Sequence, residues 1–177
     1  LLFTLIDRIQ PWLDQRENTA PAGVVEEVPA EEFQPITETG HAILIGHGRV
    51  GSRISARLRE EGIPLVIIED NRTQAQELRE VGHSVVHGNA ASSRVLELAN
   101  VASARWLLIA IPNGLEAGQI AIHARAANPQ LDIIARAHFD SEVDYLQEHG
   151  ADLVVMGERE IARIMFDRLG LQTVAPS

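Results

Sequence analysis

From His41 onward the chain alternates between short, unbroken apolar runs and longer stretches whose apolar residues recur at helical spacing. Ala42-Ile-Leu-Ile45, Leu65-Val-Ile-Ile68 and Trp106-Leu-Leu-Ile-Ala-Ile111 are the clearest runs. A strand buried on one face alone would alternate, whereas unbroken runs belong to parallel strands covered on both faces. The pattern predicts strands at 41–46, 64–69, 84–87, 105–111, 131–135 and 152–155, and helices at 49–61, 72–81, 92–99, 114–127, 140–149 and 158–169. Gly62, Gly82 and Gly150 stand where helices close, and Ser92, Asn113 and Asp140 where they open. Six strand–helix units in about 130 residues predict a doubly wound α/β domain. Its parallel sheet of about six strands has the expected order 3-2-1-4-5-6, with helices on both faces.

The first unit carries chemistry. Its strand runs into Gly46-His47-Gly48-Arg49-Val50-Gly51, a G-x-G-x-x-G turn, and the second strand ends in Glu69-Asp70. Strand, glycines, helix, strand and acid in this order form the fingerprint of a Rossmann-type nucleotide site. Gly46 permits the tight turn, Gly48 lets backbone approach a phosphate, and Gly51 lets the helix pack closely on its strand. The phosphate then meets free N–H groups at the positive end of the helix that starts near Arg49. Glu69 stands where a carboxylate takes the adenosine ribose hydroxyls, which favours a free 2′-hydroxyl over a 2′-phosphate. The bland alternative is a glycine turn needed only for packing.

Ligands of such sheets lie beyond the carboxyl ends of the strands. That places Asp70, Asn89-Ala90, Ile111-Pro112-Asn113 and Arg136 alongside the glycine loop. Asn89 offers an amide to an adenine edge, and Arg49 and Arg136 offer forks for a phosphate. Each has a plainer alternative: Asp70 as a solvated turn residue, Asn89 as a left-handed loop residue, and His47 as loop filling. Glu116 follows Asn113 by three positions, a capping-box spacing that competes with ligand contact. Arg136 ends an apolar strand, where an unpaired charge is costly, so a partner is expected: a ligand phosphate, Glu116 or Glu69.

Composition narrows the field. The net charge is −10, from 25 acidic and 15 basic residues, which argues against a nucleic-acid partner. The chain has no cysteine, which removes disulfides, thiolate metal sites and cysteine nucleophiles. Every basic residue is arginine, so a Walker-type lysine and Schiff-base chemistry are excluded. The seven histidines are scattered, and no metal site is expected. No apolar run approaches the ~20 residues that cross a bilayer. Residues 1–13 begin with the apolar Leu1-Leu-Phe-Thr-Leu-Ile6 and read equally as the end of a membrane helix or as a docking amphipathic helix. Residues 14–39 hold seven acids with Pro21, Pro29 and Pro35, the composition of a solvated linker. A globular unit at 40–170 and a tail at 171–177 complete the expected organisation. The start at Leu1 reads as a piece of a larger polypeptide.

Gly46-His-Gly-Arg-Val-Gly51, Ile68-Glu-Asp-Asn71, Val86-His-Gly-Asn-Ala90 and Ile133-Ile-Ala-Arg-Ala137 together resemble the RCK family, also called KTN or TrkA-N domains. These are cytosolic nucleotide-binding regulators of bacterial potassium channels and cation:proton antiporters. The likeness covers about 41–170, and the family commonly has Asp where Asn89 stands. The resemblance implies a domain that binds AMP, NAD or NADH as a regulatory ligand, with no bond broken. It implies a position at the cytoplasmic face of the inner membrane, following the transmembrane part of a CPA2-type antiporter in the same polypeptide. It also implies a homodimer, for which Val143, Leu146, Ile161, Ile164, Met165 and Phe166 serve either core or contact. The nucleotide residues it implies are Gly46, His47, Gly48, Arg49, Val50, Gly51, Glu69, Asp70, Asn89, Ala90, Ile111, Asn113, Glu116 and Arg136. Two other readings remain. One is a fragment of an NAD-dependent oxidoreductase, which requires a second domain with a general acid or base. The other is a free-standing regulatory subunit of a potassium transporter, against which the apolar start counts.

Overall fold

Six strands pair in parallel throughout: β1 (Ala42–Ile45), β2 (Leu65–Glu69), β3 (Ser84–His87), β4 (Trp106–Ile109), β5 (Asp132–Ala137) and β6 (Leu153–Met156). Their order in the sheet is β3-β2-β1-β4-β5-β6, as the pattern predicts. The helices are α1 (Arg49–Glu60), α2 (Arg72–Glu80), α3 (Ser93–Leu98), α4 (Gly114–Ala127), α5 (Asp140–Glu148) and α6 (Gly157–Arg168). The computed structural model describes residues 36–171; the apolar segment 1–13, most of the 14–39 linker and residues 172–177 lie outside them.

The sheet divides the core. Ile43, Ile45, Ile68, Leu107 and Ile133 meet Leu96 of α3, Ile120 of α4 and Leu146 of α5 on one face. Leu44, Ile67 and Val85 meet Ile54 of α1 and Ala75 and Leu78 of α2 on the other. On that second face Leu108, Ile134 and Val155 line an apolar hollow of about 250 Å³ together with Val50 and Ile54. Beyond β6, helix α6 buries no residue, and Ile161, Ile164, Met165 and Phe166 are exposed.

Two strand ends differ from the pattern by two residues. β5 continues to Ala137 because Arg136 and Ala137 pair with Val155 and Met156 of β6, a partner the local pattern does not reveal. β4 stops at Ile109, before Pro112, whose missing N–H ends ladder pairing. Helix α5 begins at Asp140, as the pattern predicts, and Glu142 reaches back to accept from the N–H groups of His138 (2.7 Å) and Phe139 (3.2 Å). Residues 36–40 are tied to the domain: Gly40 N–H donates to Ser103 O (2.7 Å), and Asn100 Nδ2 donates to Glu38 O (2.9 Å). His41 is fully buried, its Nε2–H donating to Ala99 O at 3.0 Å.

Candidate nucleotide site

β1 pairs with β2 on one side and β4 on the other, so the winding of the sheet reverses at its carboxyl edge, where a doubly wound sheet binds its ligand. A cleft of about 830 Å³ opens there, a size that suits a small-molecule ligand. Gly46, His47, Gly48, Arg49, Val50, Glu69, Asp70, Asn89, Ala90, Ile111, Asn113, Glu116 and Arg136 all line it. Gly51 does not line the cleft; it works behind the wall.

The three loop glycines answer different demands. Gly46 has φ +82°, and a Cβ there would stand 2.8 Å from Cγ2 of Ile111. At Gly51 a Cβ would fall 2.1 Å from the Gly46 carbonyl oxygen, so only glycine lets α1 close on the loop. At Gly48 a Cβ would meet no protein atom within 4 Å. The protein does not need that space; an incoming group can use it.

The loop is held from behind. His47 N–H donates to Glu69 Oε2 (2.9 Å), and Asn71 N–H donates to Glu69 Oε1 (3.1 Å). Glu69 is only 6% exposed, and each carboxylate oxygen retains a further lone pair for a hydroxyl. Gln74 Nε2 donates to the His47 carbonyl (2.8 Å), and Asn71 Oδ1 caps α2 by accepting from Gln74 N–H (3.0 Å). Ser55 Oγ, buried under α1, donates to Ser52 O at 3.1 Å, so the 2.7 Å contact with His47 is Nε2–H donating to Ser55. The His83 ring stands 5.8 Å from that of His47. Burial, then His47, then Arg59 hold the His83 imidazole below its ordinary pKa.

On the opposite wall Asn113 Oδ1 accepts from Glu116 N–H (3.3 Å), capping α4. Glu116 has no hydrogen bond back to Asn113; it faces the cleft, so only half of the predicted box forms. Asn89 Oδ1 accepts from Ala91 N–H (2.7 Å), an Asx turn that leaves the Nδ2 donors available. Arg49 and Arg53 lie one turn apart on α1, and Arg136 faces the same cleft from β5. Among the described residues none of the three forms an ion pair, so neither Glu69 nor Glu116 is the partner expected for Arg136. In a chain of net charge −10, three unpaired guanidiniums at one cleft suit an anionic ligand. Arg53, Gln74 and His138 also line the cleft, yet no glycine-loop rule points to them.

Sheet order, glycine loop and switch-point cleft make this a Rossmann-type domain. The chain belongs to the TrkA-N domain family, which matches residues 42–157. It is 47% identical over 169 residues to the protein named "Putative cation/proton antiporter YbaL" of Escherichia coli (strain K12), covering 96% of this chain and 30% of that protein. It is 30% identical over 148 residues to the glutathione-regulated potassium-efflux system protein KefC of Salmonella paratyphi B, covering 84% of this chain and 23% of KefC. The chain therefore spans under a third of these relatives' length. Among solved structures, the TrkA-N domain of the inner membrane protein ybaL from Escherichia coli superposes with a TM-score of 0.73 at 53% identity, covering 76% of this chain and 99% of that one. The GsuK channel bound to NAD matches at TM-score 0.66 and 25% identity, over 89% of this chain and 27% of the channel. The Kef C-terminal domain of Shewanella denitrificans in AMP-bound form matches at 0.63 and 27%, over 73% and 79%.

Proposed function

We propose that this chain is the cytoplasmic regulatory domain of a membrane monovalent cation:proton antiporter, and that it binds an adenine nucleotide, AMP or NAD(H), as a signal. In this reading residues 1–13 follow the membrane part of the same polypeptide, 14–39 tether, 40–170 bind, and 171–177 form a tail. The observation that carries it is the cleft: a glycine loop at the start of α1, a buried ribose-side carboxylate, and three unpaired arginines around one space. Relatives holding NAD and AMP support the ligand class. The adenosine lies toward Glu69, Asp70 and Asn89, the phosphate against Gly48 and the first turn of α1, and Ile111, Asn113, Glu116 and Arg136 close the far side. Nothing is turned over; the ligand acts by favouring one arrangement of the domains over another. A second copy of the chain covers the apolar hollow and the exposed side of α6. Val50, Ala110 and Arg136 belong to both the cleft and the hollow, which gives the ligand a short physical route to that surface.

Calorimetry with AMP, NAD and NADH tests the reading: saturable binding by at least one is expected, and none at millimolar ligand would sink it. Glu69→Ala should weaken binding by ~1–3 kcal/mol, because it removes a ribose acceptor and frees the loop behind it. In vesicles carrying the full-length antiporter, the same nucleotide should change the rate of cation-driven proton exchange.

A further inference from the structure

Every peptide of the glycine loop has two polar ends, and only some of them are held by other groups among the described residues. His47 N–H is taken by Glu69, and the carbonyl at the other end of that peptide, Gly46 O, stands against Gly51. The peptide joining Gly46 to His47 is thus fixed from both ends. The next one, joining His47 to Gly48, is held by a single contact, Gln74 Nε2–H donating to His47 O at 2.8 Å. In a trans peptide the carbonyl and the following N–H point in opposite directions. With His47 O drawn to Gln74, Gly48 N–H faces away from α2, and it has no hydrogen-bond partner among the described residues.

We propose that Gln74 is a positioning residue for the phosphate: by holding the His47 carbonyl it keeps the Gly48 N–H turned toward the ligand. The proposal rests on the nucleotide reading above and adds to it a residue outside the glycine motif. The alternative orientation is accessible because Gly48, lacking a Cβ, tolerates a wide range of backbone dihedrals. Rotated, this peptide would offer an anionic ligand a carbonyl in place of a donor. Gln74 is itself held in place: Asn71 Oδ1 caps its N–H, and Asn71 N–H is bound by Glu69. One series, Glu69 to Asn71 to Gln74, therefore links the ribose side of the cleft to the phosphate side.

The test compares AMP with adenosine, which has no phosphate, by NMR titration of the 177-residue chain and of Gln74→Met and Gln74→Glu. Methionine keeps the length without a donor, and glutamate keeps the shape but presents an acceptor to the carbonyl. Both variants should weaken AMP by about five- to tenfold or more, the scale of one lost hydrogen bond, with glutamate the worse. Adenosine should stay within about twofold, since its contacts lie on the Glu69 side. In the unsubstituted chain the Gly48 amide proton should move downfield with AMP and not with adenosine. Equal losses for both ligands would reduce Gln74 to a fold-holding role and overturn the proposal, as would AMP affinity indifferent to the substitution. If neither ligand binds the unsubstituted chain, the nucleotide reading itself falls; if AMP binds and only the Gln74 effect is missing, that reading stands without this addition.

Discussion

Glu69 shows how much one side chain at the second strand does. Glu69 terminates β2, and its carboxylate holds the glycine loop through His47 and orders the start of α2 through Asn71, so the proposed ribose-acceptor role is superimposed on a structural one. Substituting it should therefore weaken adenosine and AMP together, unlike the phosphate-selective loss expected at Gln74. Gly51 is the least replaceable residue of the loop. The atom a Cβ would meet is backbone, the Gly46 carbonyl at 2.1 Å, and a backbone oxygen cannot swing aside as a side chain can. Gly51→Ala should cost about 2 kcal/mol or more by overpacking and lower the melting temperature in thermal unfolding followed by circular dichroism. His83 gives a pH dependence. Its pKa is lower folded than unfolded, so the native state resists protonation there. The stability it contributes is complete above the ordinary histidine value and declines as pH falls through the unfolded and then the folded pKa. The melting temperature should fall between pH 7.5 and 5.5, and His83→Gln should make that fall shallower. A variant that falls as steeply as the parent chain would remove His83 from the account.

At the scale of elements, the glycines, Glu69 and the paired strand ends were legible because their rules are local: a tight turn, a helix start and an acid at the next strand end follow one another along the chain. Gln74, Ser55 and Arg53 were not. They sit on helical faces, where a polar residue ordinarily meets water, and only the seating of α1 and α2 on the sheet turns them toward the loop. The extra length of β5 was hidden for a similar reason, since Arg136 and Ala137 become strand only by pairing with β6. The same pairing carries Arg136 along the sheet edge to the cleft. Capping offers an element-scale test. Asn71→Ala removes the acceptor for Gln74 N–H and should destabilise α2 by about 1 kcal/mol in urea unfolding.

At the scale of the whole molecule, a chain of net charge −10 gathers three arginines, Arg49, Arg53 and Arg136, at one cleft beside Glu69, Asp70 and Glu116. Anion binding held by Arg49, Arg53 and Arg136 should weaken steadily as sodium chloride rises from about 50 to about 500 mM, because the screening length for partly exposed charges shrinks over that range from about 14 Å to about 4 Å. The uncovered apolar surface is the second molecular feature. Ile164 is exposed on α6, so Ile164→Glu should change the stability of the domain by no more than about 0.5 kcal/mol while breaking any pair of copies, as read by sedimentation. Unbroken apolar runs and helical spacing, properties of neighbouring residues, were enough to set the parallel sheet, its order and the position of the glycine loop. That Arg53 joins Arg49 and Arg136 at one cleft, which side chain holds each loop peptide, and that the cleft and the open face share Val50, Ala110 and Arg136 depend on contacts between residues distant in the chain. Those contacts exist only once helices and strands have packed, because side-chain direction at a packed surface is set by the partner as much as by the segment that carries it.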